Sequence, residues 1–184
     1  MNFLQVAGNS SQTFKLAIRK VWPMANCWIF VSFPFSDFNK GNISEMMEKI
    51  KQSGKWAIGK NTSFRRSLSK GDSILFYQAG EEGKKFVGSG SLLSGLQSNE
   101  DSISDYVAIG NIDFWEKPVP VTDVLNNLSF VKDKNRWGFY FKGGIVRLPQ
   151  NDYEYVLQKA RRKRIRARAA LFFLRSGPRC SSKD

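Results

Sequence analysis

Short apolar runs alternate with turn residues along the chain, and this pattern predicts several strands. Residues 27–33 form a first run, and residues 73–78 form another after a turn at Gly71 and Asp72. Further strands are predicted at 86–93, 106–115 and 139–148, the last with a bend at its paired glycines.

Helical signals lie between and after these runs. Residues 42–45 form a capping box, apolar residues then recur at helical spacing, and Gly54 can end the helix. A short helix is predicted around residues 121–128, and a final one opens at Pro149. The pattern therefore predicts an α+β fold, a small, partly closed mixed β-barrel with peripheral helices.

Charge divides the chain more sharply than hydrophobicity does. The formal net charge is +13, yet residues 24–158 contain 16 basic and 15 acidic residues. Residues 159–184 contain ten basic residues and one acidic residue. We therefore predict a poorly ordered N-terminal extension at 1–23, one domain at 24–158 and a basic C-terminal tail at 159–184. A short amphipathic targeting helix is the competing interpretation of residues 1–23.

Several kinds of function are disfavoured by composition. The sequence contains no histidine, which removes histidine-based catalysis and histidine-ligated zinc. Its two cysteines, Cys27 and Cys180, lie far apart and predict no disulfide framework, so a cytoplasmic location is expected. No apolar run approaches the roughly 20 residues that a membrane helix needs. We predict a binding module with no catalytic residues, no metal and no cofactor.

The most informative segment is residues 54–61, where a tryptophan follows a predicted helix. Trp56 lies just after the end of that helix, in a predicted loop that contains glycine, lysine and asparagine. Such a ring could stack on a planar ligand while polar neighbours contact the ligand edge, although a core tryptophan is the alternative. Lys60, Arg65 and Arg66 are then candidate phosphate contacts, or simply a solvated surface.

These residues resemble the pattern of EVE domains, which belong to the superfamily that also holds the PUA, ASCH and YTH domains. The resemblance covers roughly residues 25–160, and its far half is similar to the end of standalone archaeal-type EVE proteins. The matching positions are Cys27-Trp28-Ile29-Phe30, Trp56, Gly59, Lys60-Asn61, Gly71-Asp72, Phe76-Tyr77, Val87-Gly88, and in the far half Leu128-Ser129-Phe130-Val131, Asn135-Arg136-Trp137 and Arg147-Leu148-Pro149.

The resemblance implies a PUA-like β-barrel whose mouth recognises a nucleobase, often a modified one. Trp56 matches the tryptophan that forms one wall of the aromatic cage in YTH domains. Tyr77 and Gln78 stand where EVE domains often have Tyr-His-Ser, and the Gln78 amide offers both a donor and an acceptor. The remaining candidates for the base-binding pocket are Asn61, Ser32 and Trp28. The alternative for Ser32 is a buried hydroxyl with an internal partner, and the alternative for Trp28 is core packing.

The predicted partner is therefore nucleic acid, DNA or RNA, with the base flipped from a single strand or weakened pair. The tail adds candidate phosphate contacts at Arg161, Arg162, Lys163 and Arg164. A membrane-surface segment is the less favoured interpretation of the tail, and the oligomeric state stays open.

Two other function classes remain as alternatives. An enzyme or accessory subunit acting on nucleic acid would have Asp72, Asp105 and Asp113 as its carboxylates, but none is paired with a nucleophile or base in the sequence. A small-molecule nucleoside sensor would use the same pocket as a base-recognition module.

Overall fold

The computed structural model describes residues 25–32, 43–80, 83–98 and 104–175, and for residues 43, 44 and 166–175 it describes the backbone alone. The predicted extension 1–23, the capping residue Asn42 and Cys180 lie outside the described residues. The helices and longer strands, in chain order, are β1 (Cys27–Ser32), α1 (Ile43–Ser53), β2 (Lys55–Gly59), β3 (Ser73–Gln78), β4 (Lys85–Leu92), β5 (Ser104–Pro120), β6 (Ile145–Leu148) and α2 (Gln150–Arg175).

The strands form one mixed sheet in the order β2-β5-β4-β3-β1-β6. β1 and β3 run parallel, and the other neighbouring pairs are antiparallel. The register of the parallel pair sets Cys27 opposite Ser73 and Ser32 opposite Gln78. The carboxyl ends of β1 and β3 therefore meet at one edge of the sheet.

The sheet is strongly curled. Three strands separate β2 from β1, so a flat sheet would place them about 19 Å apart at the usual strand spacing. Instead, the Trp56 ring of β2 lies 5.3 Å from the Phe30 ring of β1, centroid to centroid. The curl brings the two strands across a shared interior, which is the partly closed barrel that the sequence predicts.

Each face of the curled sheet carries its own apolar cluster. On the inner face, alternate residues of β1 and β3 pack against β2 and α1. The main inner-face residues are Trp28, Phe30, Ile50, Trp56, Ile58, Ile74, Phe76, Val107 and Ile109. This face forms the barrel interior.

The outer face is covered by the chain that follows β5 and by α2. Its cluster includes Ile29, Leu75, Tyr77 and Phe86 from the strands, and Val156 and Ala160 from α2. α2 runs without a break across the predicted tail boundary at residue 159. None of the helices in the described part of the chain has the length and apolar character needed to cross a membrane.

The carboxylate of Asp72 joins the start of β1 to the turn before β3. Asp72 is 3% exposed, and its Oδ2 accepts hydrogen bonds from Trp28 Nε1 at 2.7 Å and from the Ser69 backbone N–H at 3.0 Å. Its Oδ1 accepts from the Asn26 backbone N–H at 3.0 Å. Gly71, at φ 93°, supplies the left-handed backbone that this tight turn requires.

Several predicted elements are confirmed, and Gly54 ends α1 as expected. Its φ is 61°, and its N–H donates to the Ile50 carbonyl oxygen at 2.9 Å. The prediction of a loop after Gly54 is wrong, because residues 55–59 form β2. In β2 the buried residues Trp56 and Ile58 alternate with exposed neighbours, which is the period of a strand.

Two predictions in the second half of the chain are also corrected. Only Ile145–Leu148 forms a strand within the predicted strand 139–148, because Trp137–Phe141 is a 3₁₀ helix and two glycines with positive φ follow it. The predicted helix at 121–128 is two short 3₁₀ turns, Val121–Asp123 and Leu125–Asn127. Both corrections concern short apolar segments whose periodicity does not distinguish a strand from a turn of helix.

Replacing Asp72 tests its structural role. Asp72→Ala leaves a buried indole N–H and two backbone N–H groups without their acceptor, so the free energy of unfolding should fall by about 3–5 kcal/mol. Chemical denaturation monitored by circular dichroism measures this change. Glu48→Ala, at an exposed carboxylate of α1, is the control and should change the value by no more than about 0.5 kcal/mol. Equal effects of the two substitutions would contradict the role assigned to Asp72.

Candidate functional site

The carboxyl ends of β1 and β3 place two polar side chains on the inner face. Ser32 and Gln78 are the last residues of their strands and lie opposite each other in the register. The Ser32 hydroxyl donates to the Met46 sulfur of α1 at 3.0 Å. Gln78 Oε1 is buried and accepts no hydrogen bond from the described part of the chain. A buried acceptor without a donor is uncommon in proteins, and it marks this position as a candidate ligand contact.

Trp56 lies deeper on the same face. Its ring centroid is 5.3 Å from that of Phe30 and 5.6 Å from that of Phe76. Phe30 lies two residues before Ser32 on β1, and Phe76 lies two residues before Gln78 on β3. The aromatic rings are therefore on the same face as the two polar side chains and further into the barrel. Trp56 is only 7% exposed. The structure therefore brings Trp56, Ser32 and Gln78 to one face, with Trp56 built into the core beneath the two polar residues.

Two other predicted pocket residues are placed elsewhere. Trp28 is on the inner face at the opposite end of β1, where its indole N–H is bound to Asp72. Tyr77 is on the outer face, with its ring stacked 4.5 Å from that of Phe141. Burial raises the pKa of the Tyr77 hydroxyl above its usual value. The structure does not bring Tyr77 together with Trp56 or Gln78.

The turn that follows β2 lies beside the carboxyl end of β1. The Gly144 carbonyl oxygen accepts a hydrogen bond from the Val31 N–H at 2.7 Å, and a Cβ added to Gly144 would lie 3.4 Å from Thr62 Cγ2. The exposed residues Lys60 and Asn61 belong to the same turn as Thr62. Their backbone is thus near the end of the strand that carries Ser32.

The β2–β3 loop (residues 60–72) contains three predicted phosphate contacts, which differ in whether a carboxylate of the protein already pairs with them. Arg65 forms an ion pair with Asp105, whose side chain is 3% exposed. Lys60 and Arg66 are exposed and form no ion pair within the described residues. Of the three cations, Lys60 and Arg66 are therefore the ones that an external phosphate can pair with.

Phe64 in the same loop is a further candidate, which the sequence pattern did not predict. Its backbone is left-handed at φ 62°, which is rare for a large residue, and 52% of the residue is exposed. Its ring centroid lies 6.0 Å from that of Trp28, which holds one side of the ring against the domain. An exposed aromatic two residues before an exposed arginine suits base stacking. The Phe-Arg-Arg sequence was the available signal.

The basic residues of α2 also differ from one another. Lys163 Nζ lies 2.8 Å from Asp123 Oδ2 and Arg164 Nη1 lies 4.0 Å from Asp113 Oδ2. Arg161 and Arg162 are exposed and form no ion pair with any described residue. The predicted tail contacts therefore begin on a helix that is packed on the domain, and two of the four are paired internally.

The buried carboxylate of Asp152 has structural partners. Asp152 Oδ2 accepts hydrogen bonds from the Ser129 hydroxyl and the Phe130 N–H, both at 3.1 Å. Burial, with smaller contributions from Asp72 and Glu154, raises the pKa of the Cys27 thiol to about 11, so it is protonated at neutral pH. Within the described residues there is no group of three or more metal-ligating side chains.

Comparisons with known proteins establish the fold. No family model matches the chain. A UPF0310 protein of Mycolicibacterium vanbaalenii is 29% identical over an aligned length of 99 residues, and the alignment covers 50% of this chain and 68% of that protein. Among solved structures, Rpa0253 from Rhodopseudomonas palustris has a TM-score of 0.54 and 14% identity over 74% of this chain and 93% of its own.

The fold is also similar to that of human THYN1, solved in complex with DNA containing 5-methylcytosine. Its TM-score is 0.52 at 13% identity, and the match covers 74% of this chain and 98% of the THYN1 chain. The described part of the chain thus shares the fold of these solved structures, and the predicted fold class, an α+β fold built on a small mixed β-barrel, is confirmed.

Truncating Trp56 tests whether its ring is part of the core. Because the ring is buried against Phe30 and Phe76, Trp56→Ala should lower the free energy of unfolding by about 3–5 kcal/mol. Urea denaturation measures this loss. Phe64→Ala, the matched truncation of an exposed aromatic, should change it by no more than about 0.5 kcal/mol. A Trp56→Ala loss as small as that of the control would contradict the core placement.

Proposed function

We propose that this protein is a nucleic-acid-binding module that recognises a flipped, methylated base at the end of β1 and β3. Gln78 and Ser32 contact the polar edge of the base, and Trp56 forms the aromatic floor beneath them. The observation that carries this proposal is that Gln78 Oε1 is buried and has no hydrogen-bond partner in the described part of the chain. Strand alternation puts Gln78 on the face of Phe76, which is also the face of Trp56.

A nucleobase matches the chemistry of this position. Leaving a buried acceptor without a donor costs roughly 1–3 kcal/mol, and an amino or imino N–H on a base edge supplies that donor. The amide of Gln78 can accept and donate at once, as recognition of a base edge requires. A methyl group on the base adds apolar surface, worth roughly 0.8 kcal/mol when fully buried against Met46 and Trp56.

The similarity in fold to THYN1, solved with DNA containing 5-methylcytosine, supports a nucleic-acid partner. The sequence resemblance to standalone archaeal-type EVE proteins supports the same partner. DNA and RNA both offer the required base edge, so the proposal covers either.

The phosphates next to the bound base would lie against the β2–β3 loop. Lys60 is in the turn beside the end of β1, and Arg66 is exposed on the same loop. Asn61 can donate to a phosphate or sugar oxygen from the turn that contains Lys60. Arg161 and Arg162 add positive charge on α2, where no described carboxylate pairs with them.

Replacing Gln78 by leucine tests the base contact. Gln78→Leu removes an unpartnered buried acceptor, so the protein should be as stable as the wild type or slightly more stable. Its affinity for the preferred modified oligonucleotide should fall about tenfold, equivalent to about 1.4 kcal/mol. Thermal melting and fluorescence anisotropy at fixed salt measure the two quantities.

The exposed Gln97 provides the matched control, and Gln97→Leu should change neither quantity. Unchanged affinity in Gln78→Leu, with the fold intact, would exclude Gln78 from the base site. If free modified nucleosides bind as tightly as oligonucleotides, the protein is instead a nucleoside sensor.

The phosphate contacts have a separate signature. Lys60→Gln combined with Arg66→Gln should weaken binding to modified and plain strands alike, and should lower the slope of log affinity against log salt by roughly one per lost contact. Lys132→Gln, an exposed lysine outside this loop, serves as the control. An unchanged slope in the double variant would show that the β2–β3 loop does not contact phosphates.

A further inference from the structure

A groove of about 390 Å³ lies between α2 and the strands β3, β4 and β5. It is on the outer face, whereas Trp56 and Gln78 belong to the inner face and to the opposite end of β3. Its lining includes Ser73, Ser89, Ser91, Trp115, Arg161 and Arg164. The volume is within the usual range for small-molecule sites.

The groove exists because small hydroxyl residues occupy the sheet beneath α2. Further along the same face, Leu75 and Phe86 fill the equivalent space with apolar side chains. At the groove, Ser91 Oγ accepts a hydrogen bond from Asn111 Nδ2 at 2.9 Å. Asn111 is held in a left-handed conformation at φ 49°, beside a shift in the β4–β5 register. The floor of the groove is therefore polar, and its small side chains leave the space above it open.

One wall of the groove is cationic. Arg161 and Arg164 are one helical turn apart on α2, so both line the same opening. Arg161 forms no ion pair with a described residue. Arg164 faces Asp113 at 4.0 Å, and both side chains are more than half exposed, so this pair is weak and can yield to a stronger anion.

The opposite part of the lining offers aromatic and acidic groups. Trp115 is partly buried and presents an apolar ring surface. Asp113 and Glu116 are at the same groove and can accept hydrogen bonds from hydroxyl or amino groups. Lys117 also lines the groove, so three cationic side chains face two carboxylates, and the net charge of +1 is too small to favour a polyanion. The lining instead suits a compact ligand with one anionic group, an aromatic ring and several hydrogen-bond donors.

We propose that this groove is a second ligand site, which binds a nucleoside monophosphate unit. Its phosphate lies between Arg161 and Arg164, its base packs on Trp115, and its sugar hydroxyls contact the serines and carboxylates. The unit can be a free nucleotide or the phosphorylated end of a strand. Arg161 is also one of the α2 cations that the proposed function uses, but the site shares no side chain with the barrel mouth and does not require a base to be bound there.

The test uses isothermal titration calorimetry on the full chain at fixed salt. The probes are the four ribonucleoside 5′-monophosphates, their nucleosides, inorganic phosphate and a 5′-phosphorylated trinucleotide. We expect at least one monophosphate unit, free or on the trinucleotide, to bind at least about tenfold more tightly than its nucleoside and than inorganic phosphate. The tighter of the two forms identifies the source of the ligand.

Variants locate the bound unit. Arg161→Gln and Arg164→Gln should each weaken binding about tenfold, because each removes a charge-assisted contact. Ser89→Leu should fill the groove and abolish binding without lowering the melting temperature. Arg136→Gln, an exposed arginine elsewhere on the domain, should have no effect.

Three outcomes would overturn the proposal. They are the absence of binding by every monophosphate, equal affinity for inorganic phosphate, and binding that is lost in Gln78→Leu but kept in the two arginine variants. The last would place the nucleotide at the barrel mouth.

Discussion

The buried carboxylate of Asp72 is the constraint on which the rest of the structure depends. It accepts hydrogen bonds from the start of β1, through the Asn26 N–H and the Trp28 indole, and from the turn before β3, through the Ser69 N–H. These contacts tie β1 to β3 at their first residues. Because parallel strands share one register, the same contacts bring Ser32 and Gln78 together at the other end. The hydrogen bonds of Asp72 therefore fix the position of the candidate base site, although the two lie at opposite ends of β1 and β3.

Elements with strong local signals could be predicted from the sequence. Gly54 and Gly71 both adopt the positive φ that their turns require, and the strand at 73–78 has the predicted bounds. The strand after Gly54 was missed because it is five residues long and begins directly after a helix. The curl of the sheet depends on contacts such as Trp56 with Phe30, which are distant in the sequence.

The candidate site could be predicted only in part, for two physical reasons. Adjacent residues of a strand point to opposite faces, so Tyr77 and Gln78 cannot both line one pocket, and the structure assigns the inner face to Gln78. The sequence also does not show which cations have internal partners. Arg65 pairs with Asp105, 40 residues away, and this removes one predicted phosphate contact while leaving Lys60 and Arg66 exposed.

The most direct test of base recognition at this site is an NMR titration with a single-stranded oligonucleotide that carries one methylated base. The account predicts that the side-chain amide signal of Gln78 and the indole signal of Trp56 shift as the oligonucleotide is added. The indole signal of Trp28 should stay in place, because its N–H is bound to Asp72. Saturated binding that leaves the Gln78 and Trp56 signals unchanged would contradict the account.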